Sequence, residues 1–299
     1  MAEPVVAIFG PTASGKSAVA EEITGRITAE LVSADAMQVY RGLPILTNQS
    51  EFPTRLVGIW GLEHEASLGE YQRLAHAAID EILDAGRTPV VVGGTGLYLR
   101  AALAELELPP APSPETRGRL EQLYDRVGAE RAHELLVERD PAAAAVVHPN
   151  DRRRVVRALE LVEVGSSLRP ARDRLWTEET RHPTLIVGLD LSREELRRRI
   201  DVRTREMFER GVEDEVRRAL AGPISSTARH IHGLQEVAEL PRDEAIEAIV
   251  TRTQRYAVYQ LRWLRRIPGV VSLPAQRPSG ELADAILEMA RSRQRLPAR

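Results

Sequence analysis

The chain has 299 residues, a length that suits about two domains, and its 43% apolar but only 4% aromatic content demands an aliphatic core. The absence of cysteine excludes disulfides, thiolate chemistry and cysteine-ligated zinc, and no run of about 18 apolar residues exists to span a membrane. A formal net charge of −3 excludes a uniformly basic nucleic-acid coat but not a local basic surface, and the start of the chain carries no secretory signal, so a cytoplasmic protein is expected.

In chain order, residues 4–9 (Pro-Val-Val-Ala-Ile-Phe) read as a short buried strand ending at glycine. A helix is expected from Lys16 to about Ile27, and a second strand from Glu30 to Ser33. Tyr71 to Ala85 has helical spacing, with Leu74, Ala78, Ile82 and Ala85 on one side. Thr88-Pro-Val-Val-Val-Gly-Gly-Thr-Gly96 is another buried strand running into glycines. Strands alternating with helices predict an α/β fold, a parallel sheet flanked by helices. The pattern then changes. Pro109, Pro110, Pro112 and Pro114 predict a stiff linker, 115–165 is helical in period, and 166–183 is polar and irregular. A strand returns at Thr184-Leu-Ile-Val-Gly-Leu-Asp190, followed by helical stretches near 193–221 and 242–266, a weaker tail, and a basic end from Arg291 to Arg299. The expected organisation is a P-loop α/β core from 1–111 and 184–299, with 112–183 as a mainly helical insertion.

Gly10-Pro11-Thr12-Ala13-Ser14-Gly15-Lys16-Ser17 matches the phosphate-binding pattern G-x-x-x-x-G-K-[ST], with a strand before it and a helix after. Backbone N–H groups wrap an anion, the helix N-terminus adds partial positive charge, Lys16 reaches the terminal phosphate, and the Ser17 hydroxyl can ligate Mg²⁺. Lys16 is the only lysine among 41 basic residues; the position calls for a compact ammonium that a guanidinium fork cannot imitate. The motif specifies a di- or triphosphate, not its fate.

Ser33-Ala-Asp-Ala-Met-Gln-Val-Tyr40 follows the second strand, on the carboxyl edge where open parallel sheets bind ligands. Asp35 there could be a general base, a metal ligand, or simply a turn-capping aspartate. Gly93-Gly-Thr-Gly96 ends a strand on the same edge. It offers either close backbone approach to a ligand with the Thr95 hydroxyl beside it, or an ordinary strand-to-helix turn. From 252 to 266 the residues Arg252, Arg255, Tyr259, Arg262 and Arg266 fall within roughly an 80° arc of a helix, with Ala257, Leu261 and Leu264 opposite. Segment 251–266 contains no Asp or Glu, so this stripe suits a phosphate backbone better than intrahelical ion pairing.

These segments together resemble the tRNA dimethylallyltransferase (isopentenyltransferase) family. The resemblance rests on the octet, on Ser33-Ala-Asp-Ala-Met-Gln-Val-Tyr-Arg-Gly42, and on Val92-Gly-Gly-Thr-Gly-Leu-Tyr-Leu99. A fourth segment, Val147-His-Pro-Asn-Asp-Arg-Arg-Arg-Val-Val-Arg-Ala-Leu-Glu160, resembles the family's signature in its insertion. The resemblance implies transfer of a dimethylallyl group from dimethylallyl diphosphate to the N6 amine of an adenine. That adenine is the one 3′-adjacent to the anticodon in tRNAs reading U-starting codons. By the same resemblance, Gly10 to Ser17 would hold the diphosphate with Mg²⁺ at Ser17, and Thr12 would touch it. Asp35 would be the base, while Ala36, Met37 and Gln38 would line the adenine pocket. Thr95 would contact tRNA, and Arg153, Arg154 and Arg157 would meet the anticodon stem-loop. Arg229, or His230 beside it, is the candidate for an arginine-like contact to the diphosphate, and Arg255 and Arg262 join the tRNA contacts. A monomer is expected.

The chain departs from the family's pattern at several places. Leu43-Pro-Ile-Leu-Thr-Asn48 replaces an Asp-Ile-Gly-Thr-Ala-Lys stretch, Ile231-His-Gly-Leu-Gln-Glu236 replaces Ile-Gly-Tyr-Lys-Glu, and Ala257-Val-Tyr-Gln260 replaces Ala-Lys-Arg-Gln. Ala36 stands where serine is common, and His64 where two histidines are expected. His230 and His232, without a nearby carboxylate, read as structural. Two other enzyme readings share the cradle: a P-loop small-molecule kinase and an isopentenyltransferase acting on free adenylate. An RNA-binding protein with a vestigial site is the non-enzymatic alternative.

Overall fold

The structure, a computed structural model, describes residues 5–110, 113–169 and 174–294. The chain begins β1 (Val5–Phe9), α1 (Lys16–Thr24), β2 (Ala29–Ser33), β3 (Thr54–Arg55), α2 (Leu68–Asp84), β4 (Thr88–Gly93) and α3 (Gly96–Leu103). Four helices follow: α4 (Pro114–Val127), α5 (Ala129–Arg139), α6 (Pro141–Ala144) and α7 (Arg152–Glu163). Then come β5 (Thr184–Asp190), α8 (Arg193–Glu209), α9 (Val212–Leu220), a 3-10 turn at Ala228–His230, α10 (Leu234–Glu239), α11 (Arg242–Leu264), β6 (Val271–Pro274) and α12 (Ser279–Gln294).

Every strand pairs in parallel, in the order β3-β2-β4-β1-β5-β6. β1, β4 and β5 are near-continuous aliphatic runs because helices cover both faces of a parallel sheet; all of β1 and β4 is buried. The chain leaves β1 for β2, beyond β4, and later crosses from β4 past β1 to β5. Connections departing in opposite directions open a crevice at the carboxyl end of β1. The α/β class and parallel sheet expected from the alternation are present.

Element edges differ from the sequence reading for local reasons. α1 stops at Thr24 because Gly25 turns its N–H back to Glu21 and Ile23. α2 starts earlier, at Leu68, where the Ser67 side chain caps the Glu70 N–H. Its buried face centres on Tyr71, Ala75, Ala78, Ile79 and Ile82, leaving Leu74 at the margin and Ala85 exposed past the helix end. The stretch near 193–221 is two helices, broken at Gly211 with φ +86°. The weak tail contains β6, which completes the sheet beside β5, and α12, which packs on α1 and receives Arg26 Nε at Asp284 Oδ1, 2.8 Å.

The chain divides into two compact units: residues up to Glu105 with those from Trp176, and Leu106–Leu175. The helical unit therefore begins and ends earlier than 112 and 183. Residues 176–183 belong to the sheet unit because Arg181 and His182 both bond the Asp80 carboxylate, at 2.9 and 2.8 Å. Pro112 of the expected linker, and the basic end beyond 294, lie outside the described residues. The helical unit packs Leu120, Leu136, Val155 and Leu159 around its core. Within that core the Glu160 carboxylate, with a side chain 1% exposed, is held by Arg117 Nε at 2.9 Å and Arg157 Nη1 at 3.1 Å. A buried carboxylate is tolerated only with such partners.

Replacing Glu160 with Ala should lower the stability of the helical unit by about 2 kcal/mol. The loss stays moderate because both remaining guanidiniums reach solvent. Hydrogen exchange at α4 and α7 reads the effect, and unchanged protection there would refute it.

Candidate active site

The cradle forms where β1 ends. Gly15 has φ +87°, which brings the loop into α1 at Lys16. Gly10 has no room for a side chain: a Cβ there would stand 2.6 Å from Ser14 Oγ. Ser14 itself is buried, and its Oγ has no hydrogen-bond partner among the described residues. Lys16 Nζ leans back to the Pro11 carbonyl at 3.3 Å. Burial lowers the Lys16 pKa to about 8, with Asp35 pulling it up and Arg203 pushing it down.

Asp35 follows β2, and its Oδ1 accepts the Met37 N–H at 2.9 Å. The turn-capping role is thus real, yet the same carboxylate lines a cleft with Thr12, Lys16 and Ser17. Met37 and Gln38 line this cleft too. Gln38 is braced by Ser33 Oγ at 2.9 Å and by the Asn48 carbonyl, also at 2.9 Å. Ala36 is not in the cleft wall; its N–H donates to Thr95 Oγ1 at 3.3 Å. Thr95 also lies outside the wall, supporting the Asp35 turn and sitting 3.4 Å from the Tyr256 hydroxyl.

The glycines after β4 meet protein on every side. A Cβ on Gly93 would stand 2.0 Å from the Ala34 carbonyl oxygen, one on Gly94 2.4 Å from Gln260 Nε2, and one on Gly96 2.2 Å from the Trp263 ring. Close packing on backbone, on a side-chain amide and on indole accounts for the three in turn.

The far wall of the cleft comes from α8 and α11 and was not read from the sequence. Arg203 and Met207 of α8 line it, as do Ile249, Thr253, Tyr256 and Gln260 of α11, His232 and Leu46. Gln260, 2% exposed, donates Nε2 to the Gly94 carbonyl at 2.8 Å and accepts the Thr12 N–H on Oε1 at 2.8 Å. A lone amide on the otherwise apolar face bearing Ala257 and Leu264 was the available signal. Burial lowers the Arg203 pKa, against the pull of Asp35. Burial also lowers His232, to about 4, so its ring is neutral at physiological pH. Its ring lies 4.7 Å from that of Tyr256, within the cleft rather than in a remote structural role. The departing 43–48 stretch is anchored by buried Glu215, whose carboxylate accepts the Ile45 and Leu46 N–H groups at 2.8 Å each.

Other candidates lie apart from this cleft. Arg229 is exposed on the 3-10 turn and does not line it; Arg203 is the arginine that does. Arg153 and Arg154 are exposed on α7, whereas Arg157 is engaged by Glu160 and by the Pro110 carbonyl at 2.5 Å. On α11, Ala257, Leu261 and Leu264 are buried as expected. Arg252 pairs with Glu236 of α10 at 2.6 Å, a partner invisible to a search within the helix. Arg255 and Arg262 are exposed and make no side-chain hydrogen bond or ion pair among the described residues. His64 bonds Glu70 at 2.8 Å and stacks on Trp60. Among the described residues no group of three or more His, Asp or Glu side chains could hold a metal by itself.

Comparison with known proteins agrees with this arrangement. The family model described as IPP transferase matches residues 38–267. A tRNA dimethylallyltransferase from Streptomyces coelicolor is 39% identical over 293 residues, covering 94% of this chain and 91% of that protein. One from Thermobifida fusca is 38% identical over 292 residues, covering 92% and 91%. The crystal structure of a full-length tRNA isopentenylpyrophosphate transferase from Bacillus halodurans superposes with a TM-score of 0.70, at 30% identity and 98% coverage of both chains. Since the family match takes in the cleft's α8 and α11 walls and these relatives align from end to end, the chain belongs to the IPP transferase family.

Proposed function

We propose that this chain is a tRNA dimethylallyltransferase, moving the dimethylallyl group of dimethylallyl diphosphate to N6 of the adenine 3′-adjacent to the anticodon in tRNAs reading U-starting codons. The observation that carries this reading is the shared cleft of Lys16, on the phosphate cradle, and Asp35. The adenine N6 lone pair attacks C1 of the allylic group, the C1–O bond breaks, and diphosphate leaves. Asp35 accepts the N6 proton as the C–N bond forms, which a poorly nucleophilic, ring-conjugated amine requires. Lys16, Arg203 and the backbone of Gly10 to Ser17 hold the charge that develops on the leaving group.

The donor set fits Mg²⁺. Ser17 offers a hydroxyl and the cleft one carboxylate, too few to cage the ion but enough beside diphosphate oxygens. Ser17 would hold it, and the ion, when bound, supplies further neutralisation of the leaving group. We assign the diphosphate contact to Arg203 in place of Arg229. Thr12, with Gln260 fixing its N–H, presents the loop to the donor. We infer that exposed Arg153 and Arg154, with Arg255 and Arg262, meet the anticodon stem-loop, whose unpaired adenine costs little to turn out. In this reading Arg157 and Thr95 support those surfaces rather than touching RNA. Every group invoked comes from one chain, consistent with a monomer. A tRNA acceptor, and the absence among the described residues of any helix long and apolar enough to cross a membrane, fit a cytoplasmic location.

Labelled dimethylallyl diphosphate with Mg²⁺ and unmodified tRNA should yield labelled tRNA, whereas AMP should remain unlabelled; transfer to AMP alone, or ATP turnover on a small acceptor, would overturn the proposal. Asp35→Ala should cut transfer at least about a hundredfold while tRNA still binds; near-normal turnover removes Asp35 as the base.

Lys16 in the free enzyme is cationic below about 8 and neutral above it. Its attraction for a diphosphate is therefore full at neutral pH and lost as pH rises. The donor KM should climb through this range, and a KM flat from about pH 7 to about pH 9 would refute the assignment. The double substitution Arg255→Glu, Arg262→Glu should weaken tRNA binding and flatten its salt dependence. An unchanged slope would show that these arginines do not meet phosphates.

A further inference from the structure

Although aromatic residues make up only 4% of the chain, rings assemble in a row along α11. His232 lies 4.7 Å from Tyr256, Tyr256 is 6.2 Å from Tyr259 at an interplanar angle of 24°, and Tyr259 is 6.4 Å from Trp263. Trp263 lies 4.8 Å from Trp176, over which the Arg266 guanidinium sits at 3.8 Å. The row starts inside the cleft, at His232 and Tyr256. Most rungs are already occupied: Tyr256 by His232, Trp263 by Trp176 and the Gly96 backbone, Trp176 by Arg266.

Tyr259 is flanked more loosely, by Tyr256 at 6.2 Å and Trp263 at 6.4 Å, and is the most open rung. It is 51% exposed, the most exposed aromatic among the described residues, and its hydroxyl makes no hydrogen bond there. Arg255, one turn before it, and Arg262, one turn after, are both exposed and free of ion pairs among the described residues. An open aromatic face between two uncommitted guanidiniums matches the chemistry of an unpaired nucleotide, whose base stacks while its flanking phosphates pair. A protein partner would have no need of two cations at this spacing around a single ring.

Resting on the proposed tRNA substrate, we infer that Tyr259 is a stacking seat for an unpaired anticodon-loop base neighbouring the adenine held at Asp35. Arg255 and Arg262 contact that nucleotide's flanking phosphates. Stacking from Tyr259 then supplies part of the grip that a basic residue would supply electrostatically.

The test measures binding of a labelled unmodified tRNA over a range of salt for wild type, Tyr259→Ala, Tyr259→Leu and Tyr259→Phe. Tyr259→Ala and Tyr259→Leu should each weaken binding about tenfold without changing the salt slope, and Tyr259→Phe should retain full affinity. An abasic nucleotide beside the target adenine should cost wild type the same factor and cost Tyr259→Ala nothing more. Wild-type affinity in Tyr259→Ala, failure of Tyr259→Phe to restore binding, or additive losses with every abasic position tried would each overturn the inference. Prenyl transfer by wild type to intact tRNA is measured first, so failure of the proposed activity is seen separately.

Discussion

A single buried amide holds the catalytic edge together. Gln260 takes the Thr12 N–H with one atom and gives a hydrogen bond to the Gly94 carbonyl with the other. The loop after β1 and the loop after β4 are thereby tied to α11. Without that side chain the buried Gly94 carbonyl would be left unsatisfied, at a cost of about 1–3 kcal/mol, and the part-buried Thr12 N–H would lose its partner. The same contact explains Gly94, since any Cβ there would collide with the amide. Because Gln260 sits on the face of α11 that also carries Thr253, Tyr256 and Ile249, fixing it fixes the far wall of the cleft.

The cleft gathers Lys16, Arg203 and Asp35 in one wall. Burial makes both Lys16 and Arg203 hold their protons less tightly than usual, and Asp35 is the one carboxylate lining the wall with them. His232, kept neutral by burial, and Tyr256 close the side away from the cradle without adding charge.

The arginines divide into those committed to protein and those that are not. Arg117 and Arg157 hold Glu160, Arg252 pairs with one oxygen of Glu236, and Arg181 holds Asp80. Whatever each pair contributes to stability, it removes guanidiniums from the pool available to a polyanion. Arg153, Arg154, Arg255 and Arg262 are among the exposed arginines not so engaged, which is how a chain of net charge −3 can still present basic surface.

The cradle was legible from eight consecutive residues because its chemistry is local: backbone amides, one ammonium and one hydroxyl all come from a single turn. Asp35 was legible as a residue of the ligand-binding edge, because carboxyl ends of parallel strands share one side of a sheet. The alternation of strand and helix likewise announced the sheet itself. Arg203, His232, Tyr256 and Gln260 were not legible, since they lie far along the chain, three on helices and His232 in a turn, and reach the cleft only through packing that no period reveals. β6 escaped for a related reason: four residues with an alternating, half-exposed pattern become a strand only when β5 offers its edge. Local sequence thus determined the glycine-rich cradle and the acid on its edge, and tertiary packing alone decided what surrounds them, because burial and long-range contact are properties of the folded chain.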